Sequence, residues 1–166
     1  MKRKIFYSFH YDNDVFRVQL IRNIGALEGN KPVTPNKWEE IKRGGEAAVK
    51  KWIDENLRGK SCLVVLVGTH TAERKWVNYE ITHAWENGLG VLGVYIHNLK
   101  DPRYGTCSRG KNPFSNYCIS NTSDYSIGMD KVVKCYDPMP ENAYQDIAAN
   151  LEGWVEEAIL IRQRYS

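Results

Sequence analysis

Short apolar runs and amphipathic stretches alternate along the chain. The apolar runs lie at residues 4–9, 61–67, 91–96 and 131–136. The run at 61–67 (SCLVVLV) is almost continuously apolar, which is typical of a parallel strand that is buried on both faces. We therefore predict β-strands at these positions.

Stretches with apolar residues at helical spacing separate the predicted strands. They predict helices around residues 15–27, 46–57, 71–86 and 141–162. Thr71 is a candidate N-cap for the third of these helices, because a threonine hydroxyl can accept a hydrogen bond from the first free amides.

Two segments interrupt this alternation. Residues 30–44 contain two prolines, and because proline removes a donor from a β-ladder, we expect a loop there and a weak or missing second strand. Residues 97–130 are rich in Asn, Ser, Gly and Pro. A loop of this length in a small domain is usually a lid, a binding loop or an insertion, and all three interpretations stay open.

Strands that alternate with helices predict an α/β fold in which helices cover both faces of a parallel sheet. Because crossover connections are right-handed, we expect a doubly wound, flavodoxin-like sheet of about five strands. No internal repeat or linker divides the 166 residues, so we expect a single domain. It would carry a long loop or insertion at about 97–130 and a C-terminal helix at about 141–162.

Composition argues against several classes of partner. The net charge is only +3, whereas a nucleic-acid binder more often shows a concentrated basic stripe. No segment approaches the roughly 18 apolar residues that a membrane span needs, and the amino-terminal residues lack the pattern of a signal peptide. We therefore expect no nucleic-acid or membrane partner and a cytoplasmic location.

The cysteines and histidines do not form a metal-binding pattern. The four cysteines lack CxxC spacing and the four histidines do not form a ligand triplet, so we expect no metal site. Cys62 and Cys135 fall in predicted strands and are expected to be buried thiols. Cys107 and Cys118 could pair in the long loop, although a cytosolic chain normally keeps its thiols reduced.

Glu80 is the candidate catalytic residue. It lies in the sequence KWVNYE of the third predicted helix, where Trp76 shares its face because side chains four positions apart stack on each other. In α/β folds, ligands bind outside the carboxyl ends of the strands, which places this helix beside residues 9–14, residues 68–71 and the loop that follows residue 96. A plainer alternative is a boundary residue that makes an ion pair on the helix surface.

Several familiar motifs are absent. No GxGxxG follows a strand, and neither a phosphate-binding P-loop nor a GxSxG elbow occurs. A phosphoacceptor aspartate would stand at the end of the central strand, where this chain has Val67 and Gly68. Asp12 and Asp14 are better explained as residues at the start of a helix.

The chain resembles TIR domains at several of these positions. Residues 6–9 (FYSF) resemble the first-strand signature of these domains, residues 61–67 resemble their third strand, and residues 76–81 (WVNYEI) resemble the segment with the glutamate of NAD-cleaving members. More narrowly, GTHT, KWVNYEI and GVLGVYIHNLKD resemble the TIR-like branch that includes the ThsB proteins of Thoeris anti-phage defence. The resemblance covers roughly residues 3–136.

This resemblance implies an enzyme that cleaves the nicotinamide–ribose bond of NAD, with NAD as substrate and no cofactor. Thoeris members are implied to make a cyclic ADP-ribose isomer that activates a partner effector. A phage-derived trigger and self-association are the further partners to consider. Glu80 would act as an ionised carboxylate beside the ribose. The predicted substrate-binding residues are Ser8, Phe9, His10, Asn13, Thr69 and Trp76.

Two other classes of function stay open at this point. One is a non-catalytic TIR-like interaction module, in which Glu80 is structural and the loops contact a partner. The other is a nucleoside deoxyribosyltransferase-like enzyme, which also sets a glutamate beside a glycosidic bond on a related α/β fold. Release of nicotinamide from NAD, compared with cleavage of deoxynucleosides, discriminates among the three.

Overall fold

The computed structural model describes residues 2–30, 35–120 and 126–165, and these contain six strands and five α-helices. The strands are β1 (Ile5–Ser8), β2 (Cys62–Val67), β3 (Gly90–Tyr95), β4 (Cys118–Ser120), β5 (Ser126–Gly128) and β6 (Cys135–Tyr136). The α-helices are α1 (Tyr11–Arg22), α2 (Pro35–Arg43), α3 (Glu46–Leu57), α4 (Lys75–Glu86) and α5 (Ala143–Gln163).

The main sheet confirms the predicted fold class. Its four strands are parallel and follow the order β1-β2-β3-β6. Alternate residues of β2 point to opposite faces, so Val64 and Leu66 pack against α1 and α5, whereas Leu63 and Val65 pack against α3 and α4. The predicted α/β arrangement, with helices on both faces of a parallel sheet, is therefore present.

The outer edge of β1 is only partly paired. Glu28 forms a parallel bridge with Lys4, and its carbonyl accepts a hydrogen bond from the Ile5 amide at 2.8 Å. Farther along, the side-chain oxygen of Asn30 accepts a hydrogen bond from the Tyr7 amide at 2.9 Å. This bridge stands where a weak or missing second strand was predicted. Within the described residues, the main sheet therefore has four strands and this bridge, where about five strands were predicted.

Helix α2 occupies part of the segment that we predicted as a loop. It begins at a proline, which is tolerated at the first helical position because the missing amide would have no partner there. An ion pair between Lys42 and Glu39 supports its exposed side, and Trp38 and Ile41 pack against the core. The prediction was wrong for this part, while residues 31–34 lie outside the described residues.

The long segment after β3 contains local structure of its own. Short 3-10 helices lie at Pro113–Asn116 and Met129–Lys131, and β4 and β5 form an antiparallel hairpin. Residues 121–125, between the two hairpin strands, lie outside the described part of the chain. Because the second 3-10 helix takes up residues 129–131, the last strand is shorter than predicted and spans only Cys135–Tyr136.

Hydrogen bonds from Arg17, which also forms a buried ion pair with Asp14, hold this segment against α1. Arg17 Nη1 donates to Asp14 Oδ1 at 3.1 Å, and the two side chains are 3% and 0% exposed. Arg17 also donates from Nε to the Leu99 carbonyl at 3.0 Å and from Nη2 to the Gly105 carbonyl at 2.9 Å. Asp14 lies in the first turn of α1, as predicted, and it is also the buried partner of Arg17.

The turn after β2 corrects the predicted helix cap. Residues Thr71–Glu73 form a short 3-10 helix, and Arg74 precedes α4 in the N-cap position without a side-chain hydrogen bond. The Thr71 hydroxyl oxygen instead accepts a hydrogen bond from the Gly68 amide at 2.8 Å. Thr71 therefore tightens the turn between β2 and α4 and does not cap the helix.

The four cysteines are free thiols, and Cys107 and Cys118 are not paired. Cys62 is buried, as predicted, whereas Cys135 is only partly buried. In residues 2–30, 35–120 and 126–165, no cluster of three or more His, Cys, Asp and Glu side chains could hold a metal ion. None of the helices in these ranges is long and apolar enough to cross a membrane.

Candidate active site

A cavity of about 300 Å³ opens beside β1. Its walls come from β1 and the two residues after it, from α1, from α2 and α3, and from the first turns of α4. The cavity lies at the outer edge of β1, where the described residues contribute a single bridge, between Lys4 and Glu28, beside the sheet. A cavity of this size is at the lower end of the range for small-molecule sites.

Glu80 lies in the wall of this cavity, on α4. The residue is only 8% exposed, and its Oε2 atom makes no hydrogen bond within the described part of the protein. On the adjacent face of α4, Val77, Ile81 and Ala84 are buried in the core, as the helical spacing predicts. The carboxyl group is therefore held at the boundary between core and cavity, and no ion pair to it is found among the described residues.

Burial raises the pKa of Glu80 well above the ordinary value of a glutamate, because the charged form loses the water that stabilises it. The Ser8 hydroxyl lies close enough to oppose this shift, without forming a well-directed hydrogen bond. Burial alone therefore favours the protonated acid, whereas the predicted ionised form of Glu80 concerns a carboxylate beside the ribose of a bound substrate.

Glu80 is expected to lower the stability of the protein at neutral and alkaline pH. Because its pKa is higher in the folded than in the unfolded protein, the folded protein binds the proton more tightly, and this contribution to stability is lost as the pH rises through the folded-state pKa. Glu80→Gln should therefore have a higher Tm than the parent at about pH 8 and a similar Tm at about pH 4 or below.

Thermal unfolding across this pH range measures the difference, and each kcal/mol shifts Tm by about 2–4 °C in a domain of this size. A difference in Tm that stays constant with pH would contradict the assignment of the effect to the carboxyl group.

Three further predicted substrate-binding residues line the same cavity, namely Phe9, His10 and Trp76. Ser8, the last residue of β1, is only 1% exposed and is not part of the lining. Asn13 lies in the first turn of α1, but its side chain is outside the described residues. Four of the predicted residues, with Glu80 included, therefore line one cavity.

Thr69 lies outside the lining of this cavity. Its hydroxyl donates to the Ser108 carbonyl at 2.6 Å. Gly110 approaches the same turn so closely that an added Cβ would lie 2.7 Å from the Thr69 carbonyl oxygen. The segment after β3 therefore covers the carboxyl end of β2, where we expected the ligand, and no residue after Glu80 in the described ranges lines the cavity.

Several lining residues were not predicted from the sequence. Four carry a permanent positive charge, namely Arg22, Lys42, Arg74 and Lys75. Within the described chain, Glu80 is the one carboxylate of the lining. The cavity therefore combines a strongly basic wall with a single acidic group.

Two unpredicted tryptophans add aromatic surface. The rings of Trp38 and Trp52 meet edge to face with centroids 5.7 Å apart, and both residues line the cavity. The spacing of Trp38, Ile41 and Lys42 is the signal that could have revealed α2 and the inward side of this helix. Such an arrangement suits a ligand with flat rings, a phosphate group and a cationic or hydroxyl-bearing centre.

The fold is that of a TIR-like domain. The family model described as "Thoeris protein ThsB, TIR-like domain" matches residues 6–101, a range that contains most of β1, all of β2 and β3, and all the lining residues named above. The chain belongs to this family of ThsB-type TIR-like proteins. A Bacillus cereus (strain MSX-D12) protein named "Putative cyclic ADP-D-ribose synthase ThsB1" is 35% identical over 130 residues, which cover 75% of this chain and 67% of that protein.

Proposed function

We propose that the protein cleaves the nicotinamide–ribose bond of NAD and forms a cyclic ADP-ribose isomer in Thoeris-type anti-phage defence. The observation that carries the proposal is the buried carboxyl group of Glu80, which faces a cavity with aromatic and cationic walls. The name of the Bacillus relative supports the class of product.

The reaction does not need a general acid. Nicotinamide leaves as a neutral molecule from a cationic pyridinium, so no proton has to be donated to it. The barrier lies in the oxocarbenium-like ribose centre, as in glycoside cleavage generally. A carboxylate at Glu80 would stabilise the positive charge that develops on this centre and would accept hydrogen bonds from the ribose hydroxyls.

Substrate binding would itself promote ionisation of Glu80. Burial raises the pKa of this group, whereas a nearby pyridinium cation lowers it, because an opposite charge favours the ionised form. The carboxylate would then face the reacting centre with little water around it, where its electrostatic effect is larger than in bulk solvent.

Trp76 provides a wall beside the reacting ribose. Its ring meets that of Tyr79 edge to face with centroids 5.9 Å apart, and the Lys75 ammonium lies 5.0 Å from the centroid of the Trp76 ring. These contacts hold the indole in place from two sides. Phe9 offers a second ring surface, and the imidazole of His10 would bind ribose oxygens.

The product depends on which atom captures the ribosyl cation. Capture by water gives ADP-ribose, and capture by an atom of the bound adenosine gives a cyclic isomer. Cyclisation requires a folded substrate whose adenine stays close to the ribose. The Trp38 and Trp52 rings would hold a purine by stacking, which favours the cyclic outcome in our proposal.

The direct test is incubation of the purified protein with NAD, both alone and with extract of phage-infected cells. We expect free nicotinamide and a product that is lighter than ADP-ribose by one water molecule, as measured by mass spectrometry. Absence of nicotinamide in both conditions would contradict the proposal. Cleavage of deoxynucleosides without cleavage of NAD would favour the deoxyribosyltransferase-like alternative.

As the pH is lowered, the rate of NAD cleavage should begin to fall at a pH well above the ordinary pKa of a glutamate. Because burial raises the pKa of Glu80 and the ionised form is needed, kcat/KM should increase as the pH rises through this pKa. For kcat, which reports the substrate complex, the acid limb should lie at lower pH, since the bound cation favours the carboxylate.

Initial rates between about pH 4 and 9 measure both limbs. The variant His10→Asn separates Glu80 from the imidazole that also lines the cavity, and it should keep the acid limb of kcat/KM. Coincident acid limbs of kcat and kcat/KM at the ordinary pKa of glutamate would contradict the assignment.

A further inference from the structure

Helix α4 begins with two cations. Arg74 occupies the N-cap position, Lys75 is the first helical residue, and the first turn contains no acidic residue. The amino-terminal end of a helix carries a partial positive charge, so acids stabilise this position and cations destabilise it. The arrangement is unfavourable for the protein alone and becomes favourable when an anion binds there.

The same end of α4 faces the cavity. Arg74, Lys75, Trp76 and Val77 all belong to its lining. The first amide groups of a helix have no intrahelical acceptor, and in the described part of the chain none of the amides of residues 75–77 donates to another backbone group. A ligand in the cavity therefore meets backbone donors and cationic side chains together.

Glu80 is an independent sign of a ligand at this place. Its buried Oε2 atom has no hydrogen-bond partner in residues 2–30, 35–120 and 126–165, and the residue lines the same cavity. An α-helix rises 1.5 Å per residue, so Glu80 lies about 7–9 Å along the axis from the amino-terminal end of α4. This separation corresponds to one ribose with its 5′-phosphate.

Among the cavity cations, Arg74 is the one that is available to a phosphate group. Arg22 donates to the Asn30 carbonyl and lies 5.8 Å from the centroid of the Tyr7 ring. Lys42 pairs with Glu39 at 2.8 Å, and Lys75 pairs with Glu46. Arg74 is exposed and makes no ion pair with any described residue.

We infer that the amino-terminal end of α4 binds the diphosphate of the substrate and that Arg74 determines specificity for it. The guanidinium group would form a bidentate pair with phosphate oxygens, and the first amides of α4 would donate hydrogen bonds to the same phosphate. The inference rests on the proposed function for the ribose at Glu80. Its consequence is a preference for nucleoside diphosphates over nucleosides without phosphate.

Binding of ADP-ribose, measured by titration calorimetry, tests this inference without any bond cleavage. Arg74→Gln should weaken binding roughly 10- to 100-fold, the effect of losing a charge-assisted hydrogen bond. Arg58→Gln is the matched control, because Arg58 is an exposed arginine that follows α3 and does not line the cavity. It should leave the affinity unchanged.

Two further measurements sharpen the result. Arg74→Lys should retain part of the affinity, because it keeps the charge but loses the planar fork. Binding of nicotinamide riboside, which has no phosphate, should be the same in the wild-type protein and in Arg74→Gln. Circular dichroism spectra and Tm values confirm that the variants are folded.

Equal affinities of Arg74→Gln and Arg58→Gln for ADP-ribose would overturn the inference. An equally large loss of nicotinamide riboside binding in Arg74→Gln would also overturn it, because the effect would not be specific to phosphate. A protein that binds ADP-ribose through Arg74 but never releases nicotinamide from NAD would support the diphosphate site and contradict the proposed function.

Discussion

Glu80→Gln is expected to lower the rate of nicotinamide release from NAD by at least about 10²–10³-fold, the usual effect of removing one group that stabilises transition-state charge. The amide has nearly the same shape as the carboxylate but carries no negative charge, so it cannot stabilise an oxocarbenium-like ribose. Chromatographic measurement of free nicotinamide over time quantifies the loss.

The controls separate this loss from unfolding. The same variant is expected to be at least as stable as the parent at neutral and alkaline pH, because it removes a buried group whose pKa is raised. Glu86→Gln is the matched control, since Glu86 is an exposed residue at the end of α4 and lies outside the cavity. Full activity in Glu80→Gln would show that Glu80 is not the catalytic residue.

Arg17→Met is expected to lower the free energy of unfolding by about 3–5 kcal/mol, the usual cost of removing one partner of a buried ion pair. The substitution leaves the Asp14 carboxylate in a fully buried position without its guanidinium partner, and the Leu99 and Gly105 carbonyls lose their donor. Urea denaturation measures the change, and Tm should fall by about 6–20 °C.

Arg109→Met is the matched control for this experiment. Arg109 lies in the same segment after β3 and pairs with Asp137 at 3.0 Å, but both side chains of this pair are exposed. Exposed ion pairs contribute about 0–1 kcal/mol, so this variant should be nearly as stable as the parent. Equal losses in the two variants would contradict the importance of burial.

The central strands could be predicted from the sequence because strands buried on both faces leave continuous apolar runs. The run at 61–67 became β2 (Cys62–Val67) with an error of one residue. Helix α2 was missed because the prolines around residue 35 were interpreted only as breaks in a strand. A proline also fits the first position of a helix, and the spacing of Trp38 and Ile41 favours that interpretation.

Part of the candidate site was also predictable. Glu80 and Trp76 lie four residues apart on one helix, so local geometry brings them to the same wall. Arg22 and Trp52 could not be found in this way, because they meet at the edge of β1 only through the packing of separate elements. The position of Thr69 depends on the segment after β3, which Arg17 and other distant residues hold in place.

Asn30 protects the exposed edge of the sheet at β1 from pairing with another molecule. An amide left free on an outermost strand invites a strand from another molecule, which is one route to aggregation. Here the side-chain oxygen of Asn30 accepts the hydrogen bond of the Tyr7 amide, and nearby helices line the cavity beside it. At that amide the molecule therefore offers no template to a foreign polypeptide.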